Sequence, residues 1–173
     1  MSGNTARDQA RGSADPHAAP LKLEEFLPYR LNVVASLVSQ ALSRIYVDRY
    51  GIGVPEWRIL VTLGQFEVMT AKAIGAHSHM HKTKVSRAVR TLERRKLIVR
   101  RENCADRREA LLSLTPAGRA IYRDLAPGAL EFAKHLFETI DPTDRAAFER
   151  AVDRLTEQSR TLSAAAAATE NAR

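Results

Sequence analysis

The sequence predicts a mainly α fold, an α+β chain of six helices with one two-stranded hairpin. Apolar residues recur at helical spacing in most of the 173-residue chain, which predicts amphipathic helices. Two short aliphatic runs, 97–101 and 110–114, predict strands joined by the polar segment 102–109. The densest positive charge, over residues 81–108, overlaps the hairpin and the helix before it.

The N-terminal part of the chain divides into a tail and a first helix. Residues 1–20 are rich in small and polar residues without periodicity, so we expect a disordered tail. A helix is predicted over residues 21–50, with Gly51 as its stop. Because this helix has no charged residue from Leu31 to Ser43, we expect a partner subunit or a cavity to enclose it.

The next two helices precede the basic stretch. Pro55 suits the first turn of a second helix, which we expect to end at Gly64. Thr70 is a candidate N-cap for a short third helix over 71–76, and residues 77–81 then turn into a fourth helix.

Two more helices follow the hairpin. Thr115 and Pro116 predict the cap and the first position of a fifth helix, which the proline and glycine at positions 127 and 128 should kink or weaken. A last helix begins near Pro142. Residues 163–173 are predicted to form a frayed or disordered tail.

The positive charge of the chain is confined to one patch. Residues 81–108 hold eleven Lys and Arg against three acidic residues, a local charge of +8, whereas the whole chain carries +7. Such a patch predicts binding to a polyanion. On a helix from Lys82 the face opposite the apolar stripe carries long cations and short hydroxyls, which suit phosphate oxygens and base edges in a major groove.

Helix, turn, helix and basic hairpin together predict a winged helix-turn-helix. Its hairpin matches the signature D-x-R-x-x-x-L-x-L-T-x-x-G at every position, and on this motif and the element order over about 21–162 the chain resembles the MarR family of bacterial transcription regulators. The resemblance implies that the helix from Lys82 enters the major groove, that Arg108 reaches a minor groove, and that Asp106 orients the wing arginines by a charge-assisted hydrogen bond. The signature residues are Asp106, Arg108, Leu112, Leu114, Thr115 and Gly118. The candidate DNA-binding residues are Lys82, Thr83, Lys84, Ser86, Arg87, Arg90, Asp106, Arg107 and Arg108.

The apolar stripes of the first, fifth and last helices predict a homodimer, since the winged unit can cover only part of them. MarR regulators are two-fold dimers built from their N- and C-terminal helices, which implies the same. The predicted DNA-binding domain is 55–115, and the dimerisation region comprises 21–54 and 116–162. Two recognition helices would then meet a near-palindromic operator with half-sites roughly 34 Å apart.

The resemblance also implies a small-molecule effector between the dimer helices and the winged unit. By position the candidate ligand-binding residues are Tyr29, Arg30, Asn32, Ser36, Trp57, Arg58 and His135. An aromatic ring, a neutral polar stripe and a cation suit a planar phenolic acid, although Trp57 or Tyr29 alone is better explained as core. The runs FLPYRLNVVASLVSQALSRIY, PEWRIL and MHKTKVSRAV resemble a branch that regulates aromatic-acid catabolism and responds to hydroxycinnamoyl-CoA thioesters. Free acid and thioester remain alternatives, and we expect a repressor that its effector releases from DNA.

Other chemistry has little support in the sequence. No signal peptide or membrane span is evident, so we expect a cytoplasmic protein, and no catalytic or cofactor motif predicts an enzyme or a cofactor. His77, His79 and His81 lack the spacing of a zinc site at a helix turn, so no metal is predicted. The alternatives are a DNA-compacting or RNA-binding protein, or a redox-sensing regulator that uses Cys104.

Overall fold

The structure, a computed structural model, describes residues 21–104, 106 and 108–171. These residues contain six helices and three strands, so the predicted mainly α class with a wing is confirmed. The tail predicted over residues 1–20 lies outside the described residues. In chain order the elements are α1 Leu27–Tyr50, α2 Val54–Phe66, β1 Val68–Thr70, α3 Ala71–Ser78, α4 Lys82–Arg94, β2 Ile98–Glu102, β3 Ala110–Leu114, α5 Pro116–Phe137 and α6 Pro142–Asn171.

The chain divides into two compact units, of which the first extends to Gln40 and the second begins at Ala41. In the first unit the uncharged stretch of α1 is uncovered: Leu31, Val34 and Leu37 are 39%, 54% and 60% exposed. The enclosure predicted for this stretch is therefore not supplied by the described part of its own unit, and enclosure by a partner subunit or around a cavity stays a prediction.

The wing belongs to an antiparallel sheet of three strands in the order β1-β3-β2, rather than the two strands predicted. The hairpin pairs Ile98 with Leu114 and Glu102 with Ala110. The third strand, β1, pairs Val68 with Ser113 and Thr70 with Leu111. Three residues carry too little pattern to predict a strand, and β1 forms because β3, more than 40 positions later, offers its second edge.

The core of the second unit lies where α2, α4 and the sheet meet. Leu60, Leu63, Leu92 and Leu112 are fully or almost fully buried there. At the beginning of α5, Thr115 accepts a hydrogen bond from the Gly118 amide at 3.1 Å and donates one to the Lys96 carbonyl at 2.8 Å. The threonine therefore caps the helix as predicted and also fastens it to the segment before β2.

Four predicted helix boundaries differ from the structure. The first helix begins at Leu27 rather than residue 21, and α2 continues past Gly64 to Phe66. Helix α3 continues past residue 76 to Ser78. Helix α5 includes Pro127, and the kink or weakened turn predicted there stays a prediction. Helix α6 continues to Asn171, so residues 163–171 are helical, and of the frayed or disordered tail predicted there the disordered form is wrong. That segment contains a run of alanines, which have the highest helix propensity of all residues.

Candidate nucleic-acid interface

Helix α4 separates an apolar face from a polar one, as predicted. Val85, Ala88, Val89 and Leu92 are at most 3% exposed and form its buried stripe. On its other sides the predicted DNA-contacting side chains of this helix all lie in solvent. These exposed residues are Lys82, Thr83, Lys84, Ser86, Arg87 and Arg90.

The turn before α4 gives its histidines separate roles. His79 ends α3 in the left-handed conformation, with φ of 50°, and the Met80 amide donates to the Gly75 carbonyl at 3.0 Å. His81 is the N-cap of α4, where its Nδ1 accepts a hydrogen bond from the Thr83 amide at 3.3 Å. His77 packs edge-on against Phe66, with ring centroids 4.9 Å apart. Within the described residues no group of three His, Cys, Asp or Glu side chains is arranged to hold a metal ion.

The turn of the wing is organised by Asp106 through the main chain. Its Oδ1 accepts a hydrogen bond from the backbone amide of Arg108 at 2.9 Å, and its carbonyl accepts one from Glu109 at 3.1 Å. A short Asp side chain commonly bonds an amide two residues later in this way. The predicted charge-assisted hydrogen bond from Asp106 to the wing arginines stays a prediction. Arg107, the other predicted wing arginine, lies outside the described residues.

Two arginines of the basic stretch are engaged within the protein. Arg100 of β2 donates from Nε and Nη2 to the two carboxylate oxygens of Glu93, at 2.9 and 3.3 Å, and this hydrogen bonding raises the pKa of the guanidinium. Arg95 donates to the carbonyl oxygens of Tyr50 and Gly51 at 2.7 and 3.1 Å. Sequence alone gave no signal for the Arg95 contact, because its partners lie more than 40 positions away.

A groove of about 1010 Å³ opens between α3, the first half of α4 and the wing. Its apolar lining includes Met80, Val85 and Leu112, whereas Lys82 and Arg108 supply positive charge. One acidic residue, Glu109, also lines it and lies 3.7 Å from the Lys72 amine. The groove therefore combines an apolar surface with cations on the same side as the predicted DNA contacts.

Four predicted ligand-binding residues belong to the first unit. Tyr29, Arg30, Asn32 and Ser36 lie on the first turns of α1 and are exposed. The Ser36 hydroxyl donates to the Asn32 carbonyl of its own helix at 2.8 Å. Tyr29 is 44% exposed, so this side chain is not part of the core of the described chain.

The other three ligand candidates lie in the second unit. Trp57 is 6% exposed and stacks on Tyr46, with ring centroids 5.1 Å apart and ring planes at 18°, so it belongs to the core. Burial raises the pKa of Tyr46, and the positive charge of Arg58 opposes that shift. His135 is exposed on α5, and its Nδ1 lies 2.9 Å from the Glu131 carbonyl. The sequence does not mark Tyr46 as the stacking partner of Trp57, because its position also fits an ordinary apolar stripe.

Two features outside the groove bear on the alternatives. Cys104 is a free, exposed cysteine in the wing. No helix in the described part of the chain is long and apolar enough to cross a membrane.

Comparisons with known proteins agree with this architecture. The model of the MarR family matches residues 52–110, which extend from the beginning of α2 to the beginning of β3. A helix-turn-helix transcriptional regulator of Bacillus subtilis, YwoH, is 25% identical over 122 residues, which are 70% of this chain and 88% of that protein.

Solved structures share the fold over most of the chain. A MarR family transcriptional regulator from Silicibacter pomeroyi is 27% identical with a TM-score of 0.66, over 78% of this chain and 90% of that one. BpsR of Bordetella bronchiseptica, whose DNA binding is regulated by 6-hydroxynicotinic acid, has a TM-score of 0.71. That match covers 80% of this chain and 98% of BpsR, and at 20% identity it shows the fold alone.

Proposed function

We propose that this chain, whose residues 52–110 match the model of the MarR family, is a transcriptional regulator of that family and a dimeric repressor of genes for aromatic-acid catabolism. On this proposal it binds a near-palindromic operator and leaves it when an aromatic acid or its CoA thioester binds. The observation that carries the DNA-binding part is the polar face of α4, where six predicted contacts are exposed while the opposite stripe is buried.

The dimer part of the proposal follows from apolar surface left in water. Phe148, Val152, Leu155 and Leu162 of α6 are between 40% and 61% exposed, and they recur at helical spacing. The uncharged stretch of α1 is exposed in the same way. A second copy that covers these two faces would bury both stripes and present two recognition helices to DNA.

The effector part of the proposal rests on a group of aromatic and cationic residues and on similarity to regulators of known effector class. The exposed Arg58 directly follows Trp57 in α2, and Trp57 stacks on Tyr46. A cation that neighbours an aromatic pair in the chain supports recognition of an aromatic ring with a carboxylate. BpsR provides a precedent, because 6-hydroxynicotinic acid, which regulates its DNA binding, is an aromatic acid. The resemblance to the hydroxycinnamoyl-CoA branch implies this class of effector and leaves the thioester and the free acid as alternatives.

A thioester has a second means of releasing DNA. Its phosphates seek cations, and the groove beside α4 offers Lys82 and Arg108, which we also assign to DNA. A nucleotide lying along this groove would compete directly with the operator. A free acid lacks these phosphates, so it can act only by binding the two conformations of the dimer with different affinities.

Operator binding at two salt concentrations tests the proposal. Band shifts on DNA upstream of the protein's own gene would be titrated with p-coumaric acid and with p-coumaroyl-CoA. We expect the thioester to release DNA at much lower concentration, and its own affinity to fall as salt rises. Equal potency of the two compounds, or thioester binding that ignores salt, would contradict the thioester proposal. Equal binding to operator and scrambled DNA would instead support a DNA-compacting protein.

A further inference from the structure

The C-terminal end of α1 presents backbone carbonyl groups that can bind a cation. Gly51 follows the helix with a φ of +57°, its amide donates to Val47 at 2.8 Å, and the amide of the fully buried Ile52 donates to Tyr46 at 3.3 Å. The bond from Gly51 to Val47, with Gly51 left-handed, closes the last turn in the αL arrangement. The carbonyls of Tyr50 and Gly51 extend beyond that closure, at the negative end of the helix dipole.

Arg95, the C-cap of the recognition helix α4, fills this position. Nη2 donates to the Tyr50 carbonyl at 2.7 Å and Nη1 to the Gly51 carbonyl at 3.1 Å. A planar guanidinium can hold two neighbouring carbonyls in one fixed orientation, whereas the single ammonium of a lysine cannot. The C-terminal end of α4 is therefore fastened to the C-terminal end of α1 by two bonds of defined geometry.

The same end of α1 is fastened to α5. The Tyr50 hydroxyl donates to Oδ2 of Asp124 at 2.6 Å, and Arg49 lies 3.0 Å from Oδ1 of the same carboxylate. One residue, Tyr50, thus accepts from α4 with its carbonyl and donates to α5 with its side chain. We call Arg95, Tyr50 and Asp124 the three-helix junction.

The junction lies at the C-terminal end of α4, far from the N-terminal end that we assign to DNA. A small tilt at the junction therefore produces a larger displacement at the DNA-binding end. Thirteen residues make α4 about 20 Å long. A tilt of about 10° at its C-terminal end would therefore move its N-terminal end by about 3.4 Å, the rise of one base pair. In a dimer, a shift of this size on each helix changes the separation of half-sites that the protein accepts.

We propose that Arg95 is a positioning residue that sets the half-site spacing read by the dimer, and that Tyr50 and Asp124 hold it through the end of α1. The inference rests on the proposed DNA-binding function, because spacing has meaning only for a dimer on two half-sites. It assigns to Arg95 a role within the protein, although this residue belongs to the basic stretch of residues 81–108.

The test uses duplexes that wild-type protein selects from random-sequence DNA, with one base pair added or removed between the half-sites. Arg95→Gln removes the guanidinium, and Tyr50→Phe removes only the hydroxyl that binds Asp124. Arg44→Gln, at an exposed cation on α1, controls for the loss of one positive charge. Single-base changes inside a half-site provide a second control, because they measure base recognition alone.

We expect wild type and Arg44→Gln to lose affinity sharply when the spacing changes. In Arg95→Gln and Tyr50→Phe the spacing penalty should shrink by about threefold or more, while the penalty for half-site base changes stays the same. A uniform loss of DNA affinity with an unchanged spacing penalty would overturn the proposal. It would also be overturned if Arg95→Gln reduced the salt dependence of DNA binding by about one unit while Tyr50→Phe had no effect on the spacing penalty, because Arg95 would then be a phosphate contact. If wild type selects no paired half-sites, the proposed function fails, and that result is distinct from a failure of the junction.

Discussion

Gly118, in the first turn of α5, lies directly against the main-chain carbonyl of Leu97. A Cβ at this position would overlap the carbonyl oxygen, which already accepts a hydrogen bond from the Thr115 amide at 3.0 Å. The obstacle is backbone, so it cannot turn aside as a flexible side chain would. The glycine of the wing signature is therefore explained by the close approach of α5 to the segment that precedes β2.

Gly118→Ala should destabilise the protein although alanine favours helices. We expect a loss of about 2 kcal/mol or more from overpacking, which lowers Tm by roughly 4 to 8 °C in a domain of this size. Thermal unfolding followed by circular dichroism would measure it. Gly128→Ala is the matched control in the same helix, where the added Cβ would meet Ile45 at an ordinary 3.4 Å and raise stability by up to about 1 kcal/mol. Two variants with equal Tm would contradict the packing argument.

Arg87→Ala and Arg108→Ala should affect DNA binding differently. Arg87 lies exposed on the recognition helix, so its loss should reduce discrimination at one base position by about 1 to 3 kcal/mol. Arg108 lies in the wing, so its loss should weaken binding to all sequences. Affinities for operator and scrambled DNA would separate the two effects. An unchanged operator affinity in Arg108→Ala would remove the wing from the interface.

Leu155→Asp tests the proposed subunit contact through α6. An unpaired carboxylate in a buried helical interface costs about 3 to 5 kcal/mol, so the dimer should dissociate instead. Phe148→Asp should act in the same direction. Thr161→Asp adds the same charge about 120° around the helix from Leu155 and should leave the dimer intact. Sedimentation velocity distinguishes these outcomes, and a tight Leu155→Asp dimer would exclude this face from the interface.

Tyr50 should ionise only above its ordinary pKa of 10.0. Its hydroxyl donates to the Asp124 carboxylate, and this hydrogen bond is the largest of the effects that raise the pKa. Because the folded pKa lies above the unfolded one, the stabilising bond is fully present below pH 10 and is lost as pH rises through the folded pKa. Tyrosine ultraviolet titration of wild type minus Tyr50→Phe would measure it. Asp124→Asn should return the transition toward 10.0, and an unshifted wild-type transition would refute the bond.

The sequence predicted those parts of the molecule whose signal is local. The stripe from Val85 to Leu92 has the period of a helix, and Thr115 with Pro116 marks a helix start, so both were placed correctly. Strand β1 was missed because its partner Ser113 lies far away in sequence. The contact of Arg95 with Tyr50 was missed for the same reason, since an exposed arginine in a basic stretch carries no mark of its partner.

The ligand candidates show a different limit of prediction from sequence. Trp57 was placed beside a polar stripe from its position in the chain, but stacking on Tyr46 makes it a core residue. Which face of a large aromatic ring stays accessible to a ligand depends on how the neighbouring helix packs. Helical spacing in the sequence alone does not determine that packing. The grouping of Tyr29, Asn32 and His135 around an effector therefore stays a prediction.

The imidazole that caps α4 has a consequence for proton placement. Because Nδ1 of His81 accepts from the Thr83 amide, the proton of the neutral ring resides on Nε2. That N–H is a hydrogen-bond donor at the N-terminal end of α4. It can therefore donate to an acceptor atom of the nucleic acid but not pair with another donor. Nitrogen-15 chemical shifts of the His81 ring would therefore report the Nε2–H tautomer in the free protein.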